Sequence, residues 1–433
     1  MSKELDSQAK AILQKNDRGG YTIPTARLYP YQWNWDSAFV ALGYLTFDRE
    51  RAWKELELLL EGQWDNGMIP SIIFRSNDPD YFPGPSVWQT QRVVLPPPAI
   101  ASTGISQPPV LASIVLSLVE SGGKEDLDRA ARLIDRVLLS HRWFRTQRSF
   151  GSADIISTVH PWETGRDNCP DWEIGLNAMS VDSTLDAYVR KDIEHANPDQ
   201  RPSQEQYDKY ISIVQYGLRV AWDQRELTDT GPFLMADPGI HFILLRANRD
   251  LLKVAKLLKL DEQTAELEQL VAHGMDTSDY FWNDAIGAFT ARNVRTGEFS
   301  NGFSSASALC FYAGAGSEYQ RNKTIDNITR VAGRVKYLMP SWDPDAVQYD
   351  PQRYWCGPVW PQMNYIISTG LQEQGYSTLA DSIRQDMASL IKKSGFYECF
   401  NPETGAGCIG VDFSWTAAIW LVWASPSRQK MAA

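Results

Sequence analysis

Apolar residues recur at helical spacing along most of the chain. Between residues 49 and 62, for example, Trp53, Leu56, Leu59 and Leu60 fall on one stripe. Side chains three and four positions apart share one face of a helix, so such stripes indicate helices that bury one side. The alternation typical of half-buried strands is scarce. The pattern predicts a dozen or slightly more helices, over residues 36–45, 49–62, 110–121, 126–144, 204–222, 240–258, 261–281, 304–314, 319–335, 358–369, 379–393 and 414–422, with a shorter one near 173–190.

The predicted helices come in pairs, separated by alternately short and long connections. Paired helices that close on themselves form an all-α (α/α)6 barrel, and its long loops would build a site at one end. We find no Gly/Ser-rich or charged linker, so we expect residues 1–433 to form a single domain. An open helical solenoid is the alternative, but the absence of a fixed-period repeat counts against it. The long connections, rich in Gly, Pro and aromatic residues, are residues 72–109, 152–173, 193–203, 281–303 and 338–357.

Composition narrows the classes of partner. The chain has 433 residues and a formal charge of -11, which argues against a nucleic acid or an anionic membrane as partner. An anionic small molecule would need locally concentrated basic groups. No segment approaches 18 apolar residues, and no apolar signal region follows Met1, so we expect a cytoplasmic protein. The five cysteines and five histidines are scattered, which predicts reduced thiols and no metal site.

Two carboxylate motifs carry the candidate chemistry. The segment 162–170 contains Glu163 and Asp167 between Trp162 and Trp172. Near the C-terminal end of the chain, Glu398 lies among Phe and Tyr residues. Glycosidic bond cleavage uses two acids, one to protonate the leaving oxygen and one to activate water or to attack. Aromatic faces also stack on sugars and desolvate carboxyl groups, which raises their pKa values.

Aromatic residues cluster just before predicted helices. Trp33 and Trp35 precede Asp36 at one helix start, which favours a sugar platform with Asp36 binding hydroxyl groups. A helix cap is an equally good interpretation of Asp36 alone. Residues 354–361 likewise place three large aromatic side chains around another helix start. With 16 Trp in the chain, we expect about half of them to form site walls and the rest to lie in the core.

Two loops could supply polar contacts to a site. Gln107 precedes two prolines, which hold it in an extended conformation. Ser203 and Gln206 fit a capping box at the start of a helix. The capping box explains Ser203 without any function, but it leaves Arg201 and Tyr207 free to reach a site.

Taken together, these segments resemble glycoside hydrolase family 63, in particular its mannosylglycerate and glucosylglycerate hydrolases. The resemblance implies an (α/α)6 barrel and an inverting mechanism that uses neither a metal nor an organic cofactor. The matching stretches run in family order along nearly the whole chain, at residues 29–39, 63–70, 81–85, 103–109, 165–170, 201–207, 354–361, 398–405 and 414–418.

By motif position, Asp167 is similar to the family's general acid and Glu398 to its general base. Glu163 is the rival for the acid and Glu403 the rival for the base. The resemblance further implies that Arg201 and Tyr207 contact glycerate from a mobile loop. The full set of substrate-binding residues implied in this way is Tyr29, Trp33, Trp35, Asp36, Tyr81, Gln107, Arg166, Arg201, Tyr207, Tyr354, Trp355, Trp360 and Trp415.

The chain departs from the family at three positions. Cys356 stands where the family usually has arginine, Asp171 where relatives often have a basic residue, and Phe413 where some have glutamine. These differences would alter sugar or aglycone preference and leave both carboxylates intact.

We therefore predict an inverting, exo-acting α-glycosidase that releases hexose from mannosylglycerate or glucosylglycerate, a small anionic substrate. The alternatives are a family 63 α-glycosidase acting on a neutral gluco-disaccharide, which would not need Arg201, and a non-catalytic glycan-binding protein. The sequence leaves the choice between mannose and glucose open, and also whether the protein is a homo-oligomer.

Overall fold

The computed structural model describes residues 2–429, and helices dominate it. Within this range, six helices follow one another in a ring: each packs against the next in chain order, and the last packs against the first. We call these the inner helices. They are Asn34–Leu45, Leu111–Glu120, Pro238–Leu258, Leu309–Ala313, Pro361–Glu373 and Ser414–Ile419.

A second set of helices, the outer helices, packs around this ring. Most of them contact the inner helix next to them in sequence, and Glu318–Ala332 does so through the 3-10 turn Ser305–Ala308. The first outer helix packs on Asn34–Leu45 and more extensively on Ser414–Ile419, which joins the two ends of the described chain. The outer helices are Ser2–Asn16, Arg49–Glu61, Lys124–Gln147, Asp261–Asp276, Glu318–Ala332 and Ser377–Ser394.

The remaining helical segments lie between the inner and outer helices in the sequence or follow the last inner helix. The longest is Gln204–Arg219, which begins at a capping box formed by Ser203 and Gln206. The short α-helices are Pro85–Trp88, Thr90–Val93, Glu173–Asn177, Asp192–His195, Gln224–Thr230 and Pro426–Gln429. Other single-turn segments are Pro161–Thr164, Pro170–Trp172, Pro198–Gln200, Ser278–Phe281 and the π-helical Trp420–Ala424.

Small antiparallel sheets cross the loop regions. One has four strands in the order Ser149–Phe150, Ile155–Thr158, Met235–Ala236 and Arg292–Asn293. Three two-stranded pairs complete the set: Gln32–Trp33 with Ile72–Ile73, Trp282–Asn283 with Ala288–Phe289, and Cys399–Phe400 with Gly407–Cys408.

Burial of one face explains why these segments are helical. In Lys124–Gln147, Ala130, Ile134, Val137 and Leu138 are buried, while the charged side of the helix faces solvent. Burying each such side chain contributes on the order of 1.5–3 kcal/mol before entropy is considered. The main hydrophobic core draws on residues from Ala9 to Ala424, and a second, smaller cluster of buried residues includes Tyr31, Trp88 and Trp222.

Most of the predicted helices are confirmed within a few residues of their ends, and so is a mostly helical fold. One prediction needs correction, because the helix expected near 173–190 ends at Asn177. Two elements were not predicted: the helix Ser2–Asn16, and the four-stranded sheet, most of whose strands are only two residues long. Among residues 2–429, no helix is both long and apolar enough to cross a bilayer.

Candidate active site

A cavity of about 950 Å³, including space open to solvent, lies at the N-terminal ends of three inner helices. Trp35 and Asp36 reach it from the first turn of Asn34–Leu45, and Trp360 from the residue before Pro361–Glu373. Trp415 reaches it from the start of Ser414–Ile419. The rigid helices thus hold these side chains at the cavity, and the loops that enter the same helices complete its walls.

The structure brings nearly all of the predicted site residues to this one cavity. Asp167 and Glu398 line it together, although 231 positions separate them in the sequence. The predicted substrate-binding residues that line it are Tyr29, Trp33, Trp35, Asp36, Tyr81, Gln107, Arg201, Tyr207, Tyr354, Trp355, Trp360 and Trp415.

Asp167 is held by a tight turn that packs on Trp35. Gly165 has φ +67°, and a Cβ atom placed there would lie 2.7 Å from the Trp35 ring. Glycine is therefore required both by the left-handed backbone and by the close approach. After the turn, the Tyr210 hydroxyl donates to the Asp167 carbonyl oxygen at 2.8 Å. These contacts fix the backbone on both sides of the carboxyl group.

Arg166 does not line the cavity, which corrects its prediction as a substrate-binding residue. Its guanidinium is buried behind the wall, where Nη1 donates to Asp171 and Nη2 to Asp237, each at 2.7 Å. Asp237 immediately precedes the inner helix Pro238–Leu258. Arg166 therefore ties the loop that carries Asp167 to the helical scaffold. The ion pair with Arg166 explains why residue 171 is an acid in this chain.

Glu398 is almost completely buried at the start of a hairpin. Its Oε1 accepts from the Tyr29 hydroxyl at 3.1 Å, and its Oε2 accepts from the Gly410 backbone N–H at 3.3 Å. Trp415 Nε1 donates to the Glu398 carbonyl oxygen at 3.0 Å. Donors on both carboxyl oxygens fix the orientation of this side chain.

Burial makes both carboxyl groups titrate near neutrality. Desolvation raises the pKa of Asp167 to about 7 and that of Glu398 to about 7, against the opposing charge of Arg201. Desolvation also raises the pKa of Asp36 well above its usual value. Such shifted carboxyl groups in a cavity are typical of acid–base sites.

The rival carboxylates do not line the cavity. Glu163 is buried and forms an ion pair with Arg148 at 2.7 Å, and it also accepts backbone N–H groups from Ser106 and Val159. Glu403 is exposed, in a turn whose Asn401 side chain accepts the Glu403 backbone N–H at 2.9 Å. Glu163 therefore braces the Asp167 loop, and Glu403 belongs to a surface turn.

Aromatic rings form the walls of the cavity. Trp355 and Trp360 are stacked, with ring centroids 3.8 Å apart and an interplanar angle of 5°. Trp35 meets Trp415 edge-on at 5.9 Å, and Tyr29 meets Trp33 edge-on at 5.3 Å. Asp36 lies in the first turn of its helix, and the N-cap Trp33 makes no side-chain cap bond there. The site interpretation of Asp36 is therefore favoured over the capping one.

Arg201 contributes a buried positive charge. Its Nε donates to Asp192 Oδ2 and its Nη1 to the Tyr29 hydroxyl, each at 2.9 Å. The guanidinium also lies 4.4 Å from the centroid of the Tyr354 ring. Among the residues that the structure describes, Nη2 of Arg201 makes no hydrogen bond to protein. The predicted capping box of Ser203 is confirmed, so the helix it starts carries Tyr207 into the same cavity.

Sequence reasoning missed several lining residues. Asp192 accepts a hydrogen bond from Arg201, but the sequence around it contains no motif that would predict a site residue. Lys191 and His195 come from the same loop, and Trp88 and Phe82 from the connection before Gln107. Only a fold that brings these loops together could have revealed them.

The family departures have local explanations. The Cys356 thiol donates to the Asn168 carbonyl oxygen at 3.3 Å, and the Trp355 backbone N–H donates to the Asn168 side chain at 2.9 Å. Phe413 lines the cavity and packs 4.4 Å from the Trp415 ring.

The cysteines are free, as predicted. Within residues 2–429, no group of three or more His, Cys, Asp or Glu is arranged to hold a metal ion.

Comparison with known proteins decides the family. A family model described as the mannosylglycerate hydrolase MGH1-like glycoside hydrolase domain matches residues 29–416. The chain belongs to this family. Its relatives include the mannosylglycerate hydrolase of Thermus thermophilus, 38% identical over 96% of this chain and 99% of the relative. The glucosylglycerate hydrolase of Mycolicibacterium hassiacum is 31% identical over 97% of each chain.

Solved structures agree with this family assignment. The mannosylglycerate hydrolase of Thermus thermophilus, described as a family 63 glycoside hydrolase, matches in its complex with Tris and D-glycerate. The TM-score is 0.92 at 38% identity, over 97% of this chain and 99% of that one. The resemblance to glycoside hydrolase family 63 is therefore confirmed. The neutral trehalase of Saccharomyces cerevisiae, at 16% identity and TM-score 0.60 over 95% of this chain and 75% of that one, shares the fold.

Proposed function

We propose that this glycoside hydrolase cleaves mannosylglycerate or glucosylglycerate with inversion, releasing hexose and glycerate. One observation carries the proposal: Asp167 and Glu398 face the same aromatic-walled cavity, beside the buried cation of Arg201. Two carboxyl groups provide the acid and the base of glycoside hydrolysis, and the cation provides a partner for a carboxylate.

In the proposed reaction, the protonated Asp167 gives its proton to the glycosidic oxygen as glycerate departs. The ionised Glu398 takes a proton from a water molecule that attacks the anomeric carbon from the opposite face. The pKa of Asp167, raised to about 7 by burial, supports its role as a proton donor near neutrality. Tyr29 and Gly410 support the role of Glu398 as base, because their donors stabilise its ionised form and aim it.

The sugar would lie between the aromatic walls near Asp36. Stacked indoles such as Trp355 and Trp360 present flat apolar faces of the kind that pack against sugar rings. Asp36 is buried and has no salt bridge among the described residues, so its oxygens are available to hydroxyl groups. One of the Thermus thermophilus structures is a complex with glucose, which supports a hexose subsite in this family.

Glycerate would lie toward Arg201. Nη2 of this arginine is free of protein hydrogen bonds in the described chain, so it can bind a carboxylate oxygen. Tyr81, Gln107 and Tyr207 line the same cavity, and the Tyr81 hydroxyl and the Gln107 side-chain amide can donate to glycerate oxygens. The loop at residues 193–203 would close over the aglycone and exclude water. The D-glycerate complex of the Thermus thermophilus enzyme supports this assignment.

We further propose that the scaffold is a closed (α/α)6 barrel acting as one catalytic domain. The circular order of contacts among the inner helices, with an outer helix beside each, supports this architecture. The main core, which draws on residues from Ala9 to Ala424, supports a single domain. The five free, buried cysteines support a cytoplasmic location.

A substrate panel tests the proposal. We expect hydrolysis of mannosylglycerate or glucosylglycerate, with little activity on the matching glycosyl-glycerols and on a neutral α-disaccharide. Preference for the neutral disaccharide would establish the alternative glycosidase, in which Arg201 has no aglycone role. Binding of the sugar-glycerates without release of reducing sugar would establish a glycan-binding protein instead.

A further inference from the structure

An inverting hydrolase finishes each turnover with its two carboxyl groups in the wrong protonation states. The acid has given a proton to the leaving group, and the base has gained one from water. The enzyme is ready again only when Glu398 has lost a proton and Asp167 has regained one. This requirement rests on the proposed function.

Two tyrosine hydroxyls connect these carboxyl groups. The Tyr29 hydroxyl donates to Glu398 Oε1 at 3.1 Å and lies 3.1 Å from the Tyr354 hydroxyl, where either can be the donor. Tyr354 and Asp167 line the same cavity, and the Tyr354 hydroxyl lies close enough to Asp167 to lower the pKa of its carboxyl group. We call Tyr29 and Tyr354 the tyrosine chain. Hydrogen bonds therefore run from the base through the two hydroxyls, and the second hydroxyl lies beside the acid.

We propose that the tyrosine chain returns the proton from Glu398 to Asp167 after hydrolysis. The proton on Glu398 moves to the Tyr29 oxygen, the Tyr29 proton to the Tyr354 oxygen, and the Tyr354 proton to Asp167. Three O–H bonds break and three form, so both tyrosines end neutral and no further reactant takes part. Each hydroxyl simply reverses the direction in which it donates.

The hydrogen-bonding capacity of Tyr29 fits both directions. A phenolic oxygen donates once and accepts twice. Before turnover, Tyr29 accepts from Arg201 Nη1 and from Tyr354, and donates to Glu398. After turnover, it accepts from Arg201 and Glu398, and donates to Tyr354. Arg201 keeps its bond in both states and so holds the Tyr29 oxygen in place.

Burial favours this internal route over exchange with solvent. Glu398 is only 1% exposed, so bulk water has little access to the proton that it gains. Burial also raises the pKa values of Tyr29 and Tyr354 well above the usual value, so a lasting phenolate is disfavoured and the protons move together.

The backbone of Tyr354 adds a second observation. It has φ +38°, in the left-handed region that a bulky aromatic residue rarely adopts. Strain of this kind costs on the order of 1–3 kcal/mol and persists where the surroundings hold it. Here the Asn168 side chain fixes the next residue by accepting the Trp355 N–H. The result is a hydroxyl placed between Tyr29 and Asp167.

Rapid-mixing kinetics of Tyr354→Phe and Tyr29→Phe test the proposal. With excess enzyme, each variant should still complete one turnover. With excess substrate, we expect a burst of one product per site, followed by a steady rate about tenfold or more below the single-turnover rate. Imidazole added at fixed pH and ionic strength should raise the steady rate but not the burst, because it replaces the missing proton carrier.

Tyr31→Phe is the matched control, since this buried tyrosine lies outside the cavity and its hydroxyl donates to the Asp78 carbonyl oxygen. We expect no burst and no response to imidazole from it. Absence of a burst and of imidazole rescue in both chain variants would show that the proton returns through solvent and would overturn the proposal. Failure of the proposed function would look different: the unaltered enzyme would hydrolyse no sugar-glycerate, or Asp167→Asn and Glu398→Gln would remain active.

Discussion

At the scale of single residues, desolvation determines the chemistry of the site. Asp167 and Glu398 have ordinary acidic side chains, but burial moves both pKa values to about 7. The same burial leaves Arg201 as a charged group close to both. Proton transfer in either direction then becomes feasible near neutral pH.

We expect Asp167→Asn and Glu398→Gln each to reduce kcat by at least about 10²-fold, the lower end of what acid–base catalysis contributes. Glu403→Gln is the control for Glu398, because it removes an exposed carboxylate outside the cavity. Steady-state kinetics, with circular dichroism to verify folding, measure the effect. Full activity of Glu398→Gln together with an inactive Glu403→Gln would reverse our assignment of the base.

The raised pKa values predict that the site destabilises the protein at alkaline pH. A carboxyl group with a folded-state pKa of about 7, above its unfolded value near 4, favours folding at low pH. That contribution is fully present below the unfolded pKa and is lost as pH rises through about 7. Asp167→Asn should therefore raise the free energy of unfolding by about 1–3 kcal/mol at pH 8. At pH 4 we expect little difference, and an equal gain at both pH values in denaturant titrations would contradict the burial argument.

Arg201→Ala should lower kcat/KM for a sugar-glycerate. The loss should correspond to about 1.5–3 kcal/mol of transition-state stabilisation, which is the usual contribution of a hydrogen bond to a charged group. The loss should be much smaller for the matching glycosyl-glycerol, which lacks the carboxylate. Because Arg201 also lowers the pKa values of Asp167 and Glu398, the ratio between the two substrates is the informative quantity. Equal losses on both substrates would remove Arg201 from the aglycone site.

Much of the candidate site could be predicted from sequence because its residues lie in short aromatic motifs. Trp33 and Trp35 stand next to Asp36, and Asp167 stands between two tryptophans, so each motif carries its own signal. The prediction for Arg166 was wrong because its position next to Asp167 in the sequence does not show where its side chain points. Its side chain turns away, toward Asp171 and Asp237. Asp192 was missed because its role depends on a contact made only in the folded chain.

At the scale of elements, buried ion pairs attach the loop that carries Asp167 to the helices. Arg166 joins this loop to the start of Pro238–Leu258, and Arg148 joins it, through Glu163, to the end of Lys124–Gln147. The loop is long, so such attachments help to hold the Asp167 carboxyl group in position. The site is therefore sensitive to substitutions outside the cavity.

Arg166→Met should destabilise the protein by about 3–5 kcal/mol, because it leaves Asp171 and Asp237 as buried charges without a partner. Arg219→Ala is the control: it removes an ion pair to Asp182 that is half exposed, and it should cost less than about 1 kcal/mol. Urea unfolding measures both. A small loss for Arg166→Met would mean that the two aspartates take up protons or rearrange at little cost.

The helices could be predicted better than the strands for a physical reason. A helix of three turns or more repeats its apolar stripe several times, whereas a two-residue strand such as Gln32–Trp33 has no period to detect. Ser2–Asn16 escaped notice because its buried stripe is short, with Ala9, Ile12 and Leu13 among mostly polar residues. The segment after Asn177 has apolar residues, but no regular helix forms there.

At the scale of the whole molecule, the ring of inner helices brings distant parts of the chain to one cavity. Asp36, Asp167 and Glu398 come from three separate regions of the sequence, yet each lines the space at the N-terminal ends of these helices. The sequence could not show this convergence, because it depends on closure of the ring.

The most direct test of the account is the anomeric form of the first sugar released. Proton NMR spectra recorded within the first turnovers on α-linked mannosylglycerate distinguish the anomers before they interconvert. If Asp167 protonates the leaving glycerate while Glu398 activates water on the opposite face, the first mannose is the β-anomer. Initial release of the α-anomer would show retention and would contradict the acid–base pair on which the account rests.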